Sequence, residues 1–116
     1  MARSIQQSNA AMALTNTTQT IHVLDITNYS GAATMIRCAA GATGSMFYEW
    51  CNVKSTVDAD WNAVPTAQYP NATVVLAANT SKTINVHGLH VGFLRVRVTL
   101  SAGAGSYDIY SLAKDF

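Results

Sequence analysis

Three histidines, His22, His87 and His90, are the side chains of this 116-residue chain best suited to bind a metal ion or to transfer a proton. His87 and His90 lie close together in a predicted turn, but they lack the Cys-x-x-Cys pairs or helical His pairs that are typical of zinc sites. A catalytic role would also need a carboxylate beside at least two histidines, which their positions neither require nor exclude. We therefore predict no metal site and no cofactor, and we interpret the histidines as surface or hydrogen-bonded residues.

The six carboxylates include one close pair, Asp58 and Asp60, in a predicted loop. Two facing carboxylates could hydrolyse a glycosidic bond, and an Asp-x-Asp sequence could contribute to a calcium site. This loop lacks the further oxygen ligands and the glycine of recognised calcium loops, so we interpret it as a solvated turn. No serine stands in a Gly-x-Ser-x-Gly sequence, and neither cysteine has a recognisable reactive setting. We predict no catalytic residue and a chain that is not an enzyme.

The two cysteines, Cys38 and Cys51, lie in two successive predicted strands, where they could face each other across a hairpin. The N-terminal residues contain no uninterrupted apolar segment, so we expect no secretory signal, and no run is long enough for a transmembrane helix. Without export to an oxidising compartment, two cysteines favour buried, reduced thiols over a disulfide.

Four aromatic residues, Tyr48, Trp50, Trp61 and Tyr69, could instead form a platform on which a sugar ring stacks. Successive side chains of a strand point to opposite faces, so Tyr48 and Trp50 share one side while Phe47 takes the other. One of these two sides must face the core. A carbohydrate-binding site on the remaining aromatic residues is the alternative function that we retain.

The charge of the chain is low and evenly spread. Charged residues make up 11% of the sequence, compared with about 25% in an ordinary domain. With a net charge of +1 and no basic cluster, we expect no binding to nucleic acid. A surface of small uncharged side chains costs little to desolvate, which favours burial in a large assembly over the alternative of a secreted β-domain.

Short β-rich segments bounded by turn residues recur along the chain, and no convincing helix is present. This pattern predicts an all-β fold, an antiparallel β-sandwich of about seven or eight short strands, of jelly-roll or immunoglobulin-like type. Residues 1–17 are polar and without periodicity, so we predict an extended N-terminal arm before a single β-sandwich domain over residues 18–116. We read the glycine-rich segments 41–44 and 102–106, and residues 79–81, as turns of hairpins.

The clearest strand runs from Gly92 to Ser101. Its apolar residues alternate strictly with polar ones, which indicates a half-buried strand with two arginines, Arg95 and Arg97, on the polar face. We predict that these arginines contribute to an interface with another protein. The alternative is that they are ordinary solvated side chains.

From Met46 to Tyr110 the sequence resembles small virion proteins of tailed bacteriophages. The resemblance rests on an aromatic strand that leads to W-x-x-V-P at 61–65, on L-x-A-N-T-S-K at 76–82 and on G-F-L-R-V-R-V-T at 92–99. It implies a β-sandwich that serves as a capsid decoration or cement protein, or as a small component of the neck, tail or fibre.

Such a protein would be part of a virion assembled in the host cytoplasm, and its partners would be capsid or other virion proteins and copies of itself. The resemblance implies neither a nucleic-acid nor a membrane partner. The carbohydrate- or receptor-binding alternative would place the chain at a tail or fibre.

Overall fold

The computed structural model describes residues 4–38 and 40–115, and these residues form nine β-strands and two short 3₁₀ helices. Every paired strand is antiparallel to its neighbour. The strands are β1 (Ser4–Leu14), β2 (Thr18–Asp25), β3 (Gly31–Arg37), β4 (Thr43–Cys51), β5 (Asn62–Ala63), β6 (Thr73–Ala77), β7 (Ser81–His87), β8 (Phe93–Ala102) and β9 (Gly105–Lys114), and the 3₁₀ helices are Asp58–Asp60 and Pro70–Ala72.

Two sheets pack face to face. Sheet A has the order β1-β9-β3-β7, and sheet B has the order β2-β8-β4, with β5 and β6 both paired to β4. Apart from β4, β5 and β6, consecutive strands alternate between the sheets, as in a jelly roll of two Greek keys. An immunoglobulin-like sandwich pairs more of its consecutive strands within one sheet. The predicted antiparallel β-sandwich is confirmed, and the strand order identifies the jelly roll.

The alternation predicted for the strand over 92–101 is present in β8. Leu94, Val96, Val98 and Leu100 face the core, while Phe93, Arg95, Arg97 and Thr99 lie on the outer face of sheet B. The same period of two orients β9, where Tyr107, Ile109 and Ala113 are buried. The largest side chains of the core come from both sheets: Leu14, Leu24, Ile26, Ile36, Met46, Tyr48, Ile84, Leu94 and Tyr107.

The three predicted hairpins are wrong. Strands β3 and β4, β6 and β7, and β8 and β9 each follow one another closely in the chain, yet each pair is divided between the two sheets. Turn residues indicate that the chain reverses, but they do not specify whether the next strand pairs with the last or crosses to the other sheet. Gly103 lies where the chain crosses from β8 in sheet B to β9 in sheet A. Its φ is 87°, and a Cβ there would lie 2.6 Å from the Gly41 oxygen, so this turn requires glycine.

The predicted N-terminal arm is extended, but it belongs to the sandwich. Residues Ser4–Leu14 pair with β9 as the edge strand of sheet A, and Leu14 is buried in the core. Residues 1–3 of the predicted arm lie outside the described residues, and Ser4–Leu14 form a strand of the sandwich. The polar sequence of this segment was misleading because an edge strand buries little side-chain surface.

Both cysteines are free and buried, as expected, but they do not face each other. Cys38 lies beside Ala77, which pairs with Thr43 at the start of β4. Cys51 ends the same strand, eight residues and about 26 Å further along. That separation excludes a disulfide in this fold, since bonded cysteines have Cα atoms about 4.4–6.8 Å apart. Burial also raises the pKa of the Cys38 thiol.

Among the described residues, no helix has the length and apolar character needed to cross a membrane.

Candidate interaction surface

Arg95 is the centre of an ion cluster on the outer face of sheet B. Its Nε donates to Glu49 Oε1 at 2.8 Å, and its Nη1 donates to Asp58 Oδ1 at 2.9 Å. The guanidinium lies 4.7 Å from the centre of the Trp61 ring, a cation–π distance. With Trp61 over it, the Arg95 side chain is only 4% exposed. Arg95 therefore fastens the loop between β4 and β5 to the sheet.

Arg97 lies beside the same carboxylates, 3.5 Å from Glu49 and 4.0 Å from Asp58. The hydrogen bond from Arg95, together with the charge of Arg97, lowers the pKa of the Asp58 carboxyl. Two cations thus meet two carboxylates within one chain. The prediction of an interface at Arg95 and Arg97 is not supported by this geometry, and neither is that of two solvated arginines, because both charges are compensated inside the fold.

Asp58 and Asp60 diverge, so they do not form a cation site together. Asp58 pairs with Arg95, whereas Asp60 accepts a hydrogen bond of 2.6 Å from the hydroxyl of Ser55. In the part of the chain that the structure describes, no three His, Cys, Asp or Glu side chains come close enough together to hold a metal ion.

Two residues of the proposed sugar platform belong to the interior side of sheet B. Tyr48 is 1% exposed, and its hydroxyl lies 2.8 Å from the Thr34 hydroxyl in the core. Burial raises the pKa of Tyr48. Trp50 shares this side of β4 and packs, partly buried, against the core. The expectation that both residues lie on one side is confirmed, and that side faces inward.

The other two aromatic residues lie apart from them and from each other. Trp61 covers Arg95 on the outer face, and its Nε1 donates to the Ser55 carbonyl at 3.1 Å. Tyr69 packs against the core and lines a small cavity of about 160 Å³ with Asn85 and His87. The four residues therefore do not form one exposed platform.

A chain of polar side chains crosses the core between the sheets, and sequence analysis did not find it. Nδ1 of His22 lies 2.5 Å from Ser111 Oγ, and Nε2 lies 2.6 Å from Asn9 Oδ1. Ser111 Oγ is in turn 2.9 Å from the Thr34 hydroxyl, which contacts Tyr48. Because Oδ1 of Asn9 can only accept, His22 donates from Nε2 and accepts from Ser111 at Nδ1.

The contacts of Ser111, His22 and Asn9 resemble a nucleophile, a base and an orienting residue in composition, but not in setting. Ser111 and His22 are both buried, and Thr34 occupies the other side of the Ser111 hydroxyl. A nucleophile must be reached by its substrate. Burial also lowers the pKa of His22, because a charged imidazolium is poorly solvated there. We interpret these linked polar side chains as a structural hydrogen-bond network that joins the two sheets.

One signal in the sequence could have placed His22 in the core. His22, Leu24 and Ile26 occupy alternate positions, so one face of the segment carries all three. A histidine on such a face requires buried hydrogen-bond partners. No local pattern could have identified Asn9 and Ser111, because they lie 13 and 89 residues away.

The outer face of sheet A has an uncharged centre. Tyr110 is 39% exposed and lies opposite Met35 on one side and Ser8 on the other. Leu112 lies opposite Ala33 and Gln6 in the same way. We call this surface the sheet A face, and it comprises Gln6, Ser8, Ala33, Met35, Tyr110 and Leu112.

Charged residues stand only at the two ends of the sheet A face among the described residues. Arg37 donates to Asp108 at 3.4 Å at one end, and Lys114 lies at the other. A depression of about 470 Å³ lies along the β1–β9 pair between Gln6 and Leu112. This uncharged surface with a half-exposed aromatic centre has the composition of the middle of a protein interface.

Comparison with known proteins identifies a shared fold and no family. No family model matches the chain, and no curated protein sequence matches it. Among solved structures, the coat protein of Tobacco streak virus is similar, with a TM-score of 0.54 and 9% identity over 97% of this chain and 85% of that one.

Two bacterial proteins are similar to a comparable degree. A protein of Bacillus endospore appendages, which form disulfide-linked pili, has a TM-score of 0.53 and 14% identity over 98% of this chain and 88% of that one. The SPBc2 prophage-derived protein YomS has a TM-score of 0.50 and 7% identity over 97% and 95%. At these identities the likeness establishes a common β-sandwich fold.

Proposed function

We propose that this chain is a non-enzymatic structural component of a bacteriophage virion, and specifically a capsid decoration protein that contacts neighbouring subunits. The observation that carries the proposal is the sheet A face, where Tyr110, Met35 and Leu112 form an uncharged centre between charged ends. The shared fold with a viral coat protein and a prophage-derived protein is compatible with this role.

A decoration protein must gain its affinity from contact area, since a stable interface usually buries about 1,200–2,000 Å². An uncharged face suits this requirement because its small polar and apolar side chains lose little hydration energy on burial. The arginines of sheet B do not compete for this role, as Glu49 and Asp58 already neutralise them.

The carbohydrate- or receptor-binding alternative gains no support from the geometry. Tyr48 lies in the core, Trp50 packs against it, and Trp61 is held beneath the loop by Arg95. A glycan would find no shared aromatic surface on these side chains.

The proposal is tested by binding purified protein to capsids of the bacteriophage whose genome encodes the chain, prepared without it. Sedimentation followed by quantitative mass spectrometry gives the number of copies bound per capsid. We expect saturable binding with a fixed stoichiometry. Substitution Tyr110→Glu should weaken binding at least tenfold, because it places a charge in the centre of the sheet A face.

Val75→Glu is the matched control. Val75 is 74% exposed on the outer face of sheet B, compared with 39% for Tyr110, so Val75→Glu introduces the same charge at a position that is open to solvent. Failure of the wild-type chain to sediment with capsids would overturn the proposal, and specific binding on a glycan array would support the alternative. Equal binding by Tyr110→Glu and Val75→Glu would exclude the sheet A face as the surface that contacts the capsid.

A further inference from the structure

A sandwich of two open sheets leaves strand edges whose backbone groups can pair with another chain, and proteins usually protect such edges. Here β1 and β7 border sheet A, while β2 borders one side of sheet B and β5 with β6 the other. The four edges differ sharply in how they are protected.

Three edges carry recognised forms of protection. Strand β7 contains Lys82 and has the 3₁₀ helix Pro70–Ala72 packed against it. On the far side of sheet B, β5 and β6 are only two and five residues long. Strand β2 has an irregularity between Thr20 and His22 and ends at a charged Asp25. Each of these features discourages pairing with another strand.

Strand β1 is the exception. It is eleven residues long and contains neither a charged residue nor a proline. Its own irregularity lies between Asn9 and Met12, where Ala11 has a φ of 52° and its N–H donates to Asp108 at 2.8 Å. The regular part of the edge is therefore Ser4–Asn9, which keeps an unbroken register with β9.

We propose that Ser4–Asn9 pairs antiparallel with the same segment of a second copy of this chain around a two-fold axis. The two sheets A, each of four strands, would then form one continuous eight-stranded sheet. This inference deepens the proposed function by naming the contact between copies that it includes.

A second copy fits this edge better than an unrelated chain for two reasons. A segment without charge meets itself without repulsion across the two-fold axis, and it offers no charge by which a foreign partner could be selected.

The pairing geometry specifies which residues meet. Directly opposite residues of an antiparallel pair point to the same face, so Gln6 lies opposite either Gln6 or Ser8 of the second copy. Both side chains are exposed in the single chain. Either register pairs five residues of each segment, which is a small contact compared with a standard interface, so we expect a dimer that dissociates on dilution in the micromolar range.

Sedimentation equilibrium over a range of concentrations tests the inference on the full chain. We expect the wild type to pass from one to two copies per particle as its concentration rises. The double variant Gln6→Lys/Ser8→Lys should remain monomeric at tenfold higher concentrations, because its lysines would lie opposite one another. Thermal unfolding should be nearly unchanged, since both lysines remain in solvent.

The matched control is Ser81→Lys/Thr83→Lys, which adds the same charge to exposed positions on the opposite edge of sheet A. It should dimerise like the wild type. A monomeric wild type, or a Gln6→Lys/Ser8→Lys variant that dimerises normally, would overturn the inference.

The two proposals fail separately. If the chain saturates capsids as a monomer, the proposed β1 contact is wrong and the decoration role stands. If the chain dimerises through β1 but does not bind capsids, the decoration role is wrong and the β1 contact stands. A dimer that is broken by Tyr110→Glu and not by Gln6→Lys/Ser8→Lys would place the self-contact on the sheet A face, contrary to the edge proposal.

Discussion

The two outer faces of the sandwich treat their charges in opposite ways. On sheet B, the buried Arg95 and the largely buried Arg97 pair with Glu49 of the sheet and with Asp58 of the loop that packs on it. On sheet A, the centre is uncharged, and the ion pair of Arg37 with Asp108 at one end lies near the solvent. The contrast shows that charged residues on the outer face of a strand can be neutralised by other residues of the same chain, as on sheet B. The uncharged sheet A face remains exposed.

The largest effect should come from Arg95→Ala. Arg95 is almost fully buried, and its removal leaves Glu49 with only the longer contact to Arg97 and takes the cation from beneath Trp61. We expect the free energy of unfolding to fall by about 3 kcal/mol, measured by urea denaturation. If the free energy of unfolding falls by less than about 1 kcal/mol, as for an exposed ion pair, then the Arg95 cluster does not stabilise the outer face of sheet B.

A smaller loss is expected for Trp61→Ala, which uncovers Arg95 while leaving its carboxylate partners in place. We expect a destabilisation of about 2 kcal/mol, from lost packing and the lost cation–π contact. Trypsin should then cleave faster at Lys54, in the loop that Trp61 fastens. Unchanged proteolysis would mean that the loop is held by its ion pairs alone.

The core between the faces provides a pH-dependent test. Burial lowers the pKa of His22 below its ordinary 6.5, so the unfolded chain binds a proton more readily than the folded one. The contribution of the neutral His22 to the free energy of unfolding is therefore fully present above pH 6.5. It falls as the pH decreases below that value, by at most about 1.4 kcal/mol per pH unit for one group.

Urea denaturation between pH 7.5 and pH 5 measures this dependence. The variant His22→Gln should lose the part of the slope that arises from His22, since glutamine does not titrate. An identical pH profile for the wild type and His22→Gln would contradict the assignment of a neutral, buried imidazole.

The smallest effect should come from Arg37→Ala on the sheet A side. The Arg37 side chain is 63% exposed, and exposed ion pairs contribute little after solvent screening. We expect a change within about 0.5 kcal/mol that disappears at high salt. A loss comparable to that of Arg95→Ala would erase the contrast between the two faces.

Much of the fold followed from local patterns, and most of the site did not. The alternation in β8 predicted correctly that Leu94 and Val96 face the core and Arg95 faces outward. The same alternation could not reveal that the carboxylate of Asp58, from a loop 37 residues earlier, would reach Arg95. The interface prediction for the arginines therefore took no account of their ion pairs within the chain.

For strand β1, the local sequence pattern itself was misleading. Its small and amide side chains led to the prediction of an arm, because an edge strand needs few apolar residues to hold its place. Its stability comes from backbone pairing with β9, about a hundred residues away, and from Leu14 and Met12 at its end. Backbone hydrogen bonds are available to every sequence, so composition does not report them.

The sequence by itself determined most of the strands after residue 17, the apolar face of the clearest ones, and a surface with few charges, because these depend on side-chain type and a period of two residues. Only the tertiary structure decided which sheet each strand joins, and therefore which distant residues meet. The neutralised arginines, the Asn9–His22–Ser111 network and the open edge of β1 all depend on that choice. The physical reason is that a strand's pleat is local, whereas its pairing partners are brought to it by the closure of loops elsewhere in the chain.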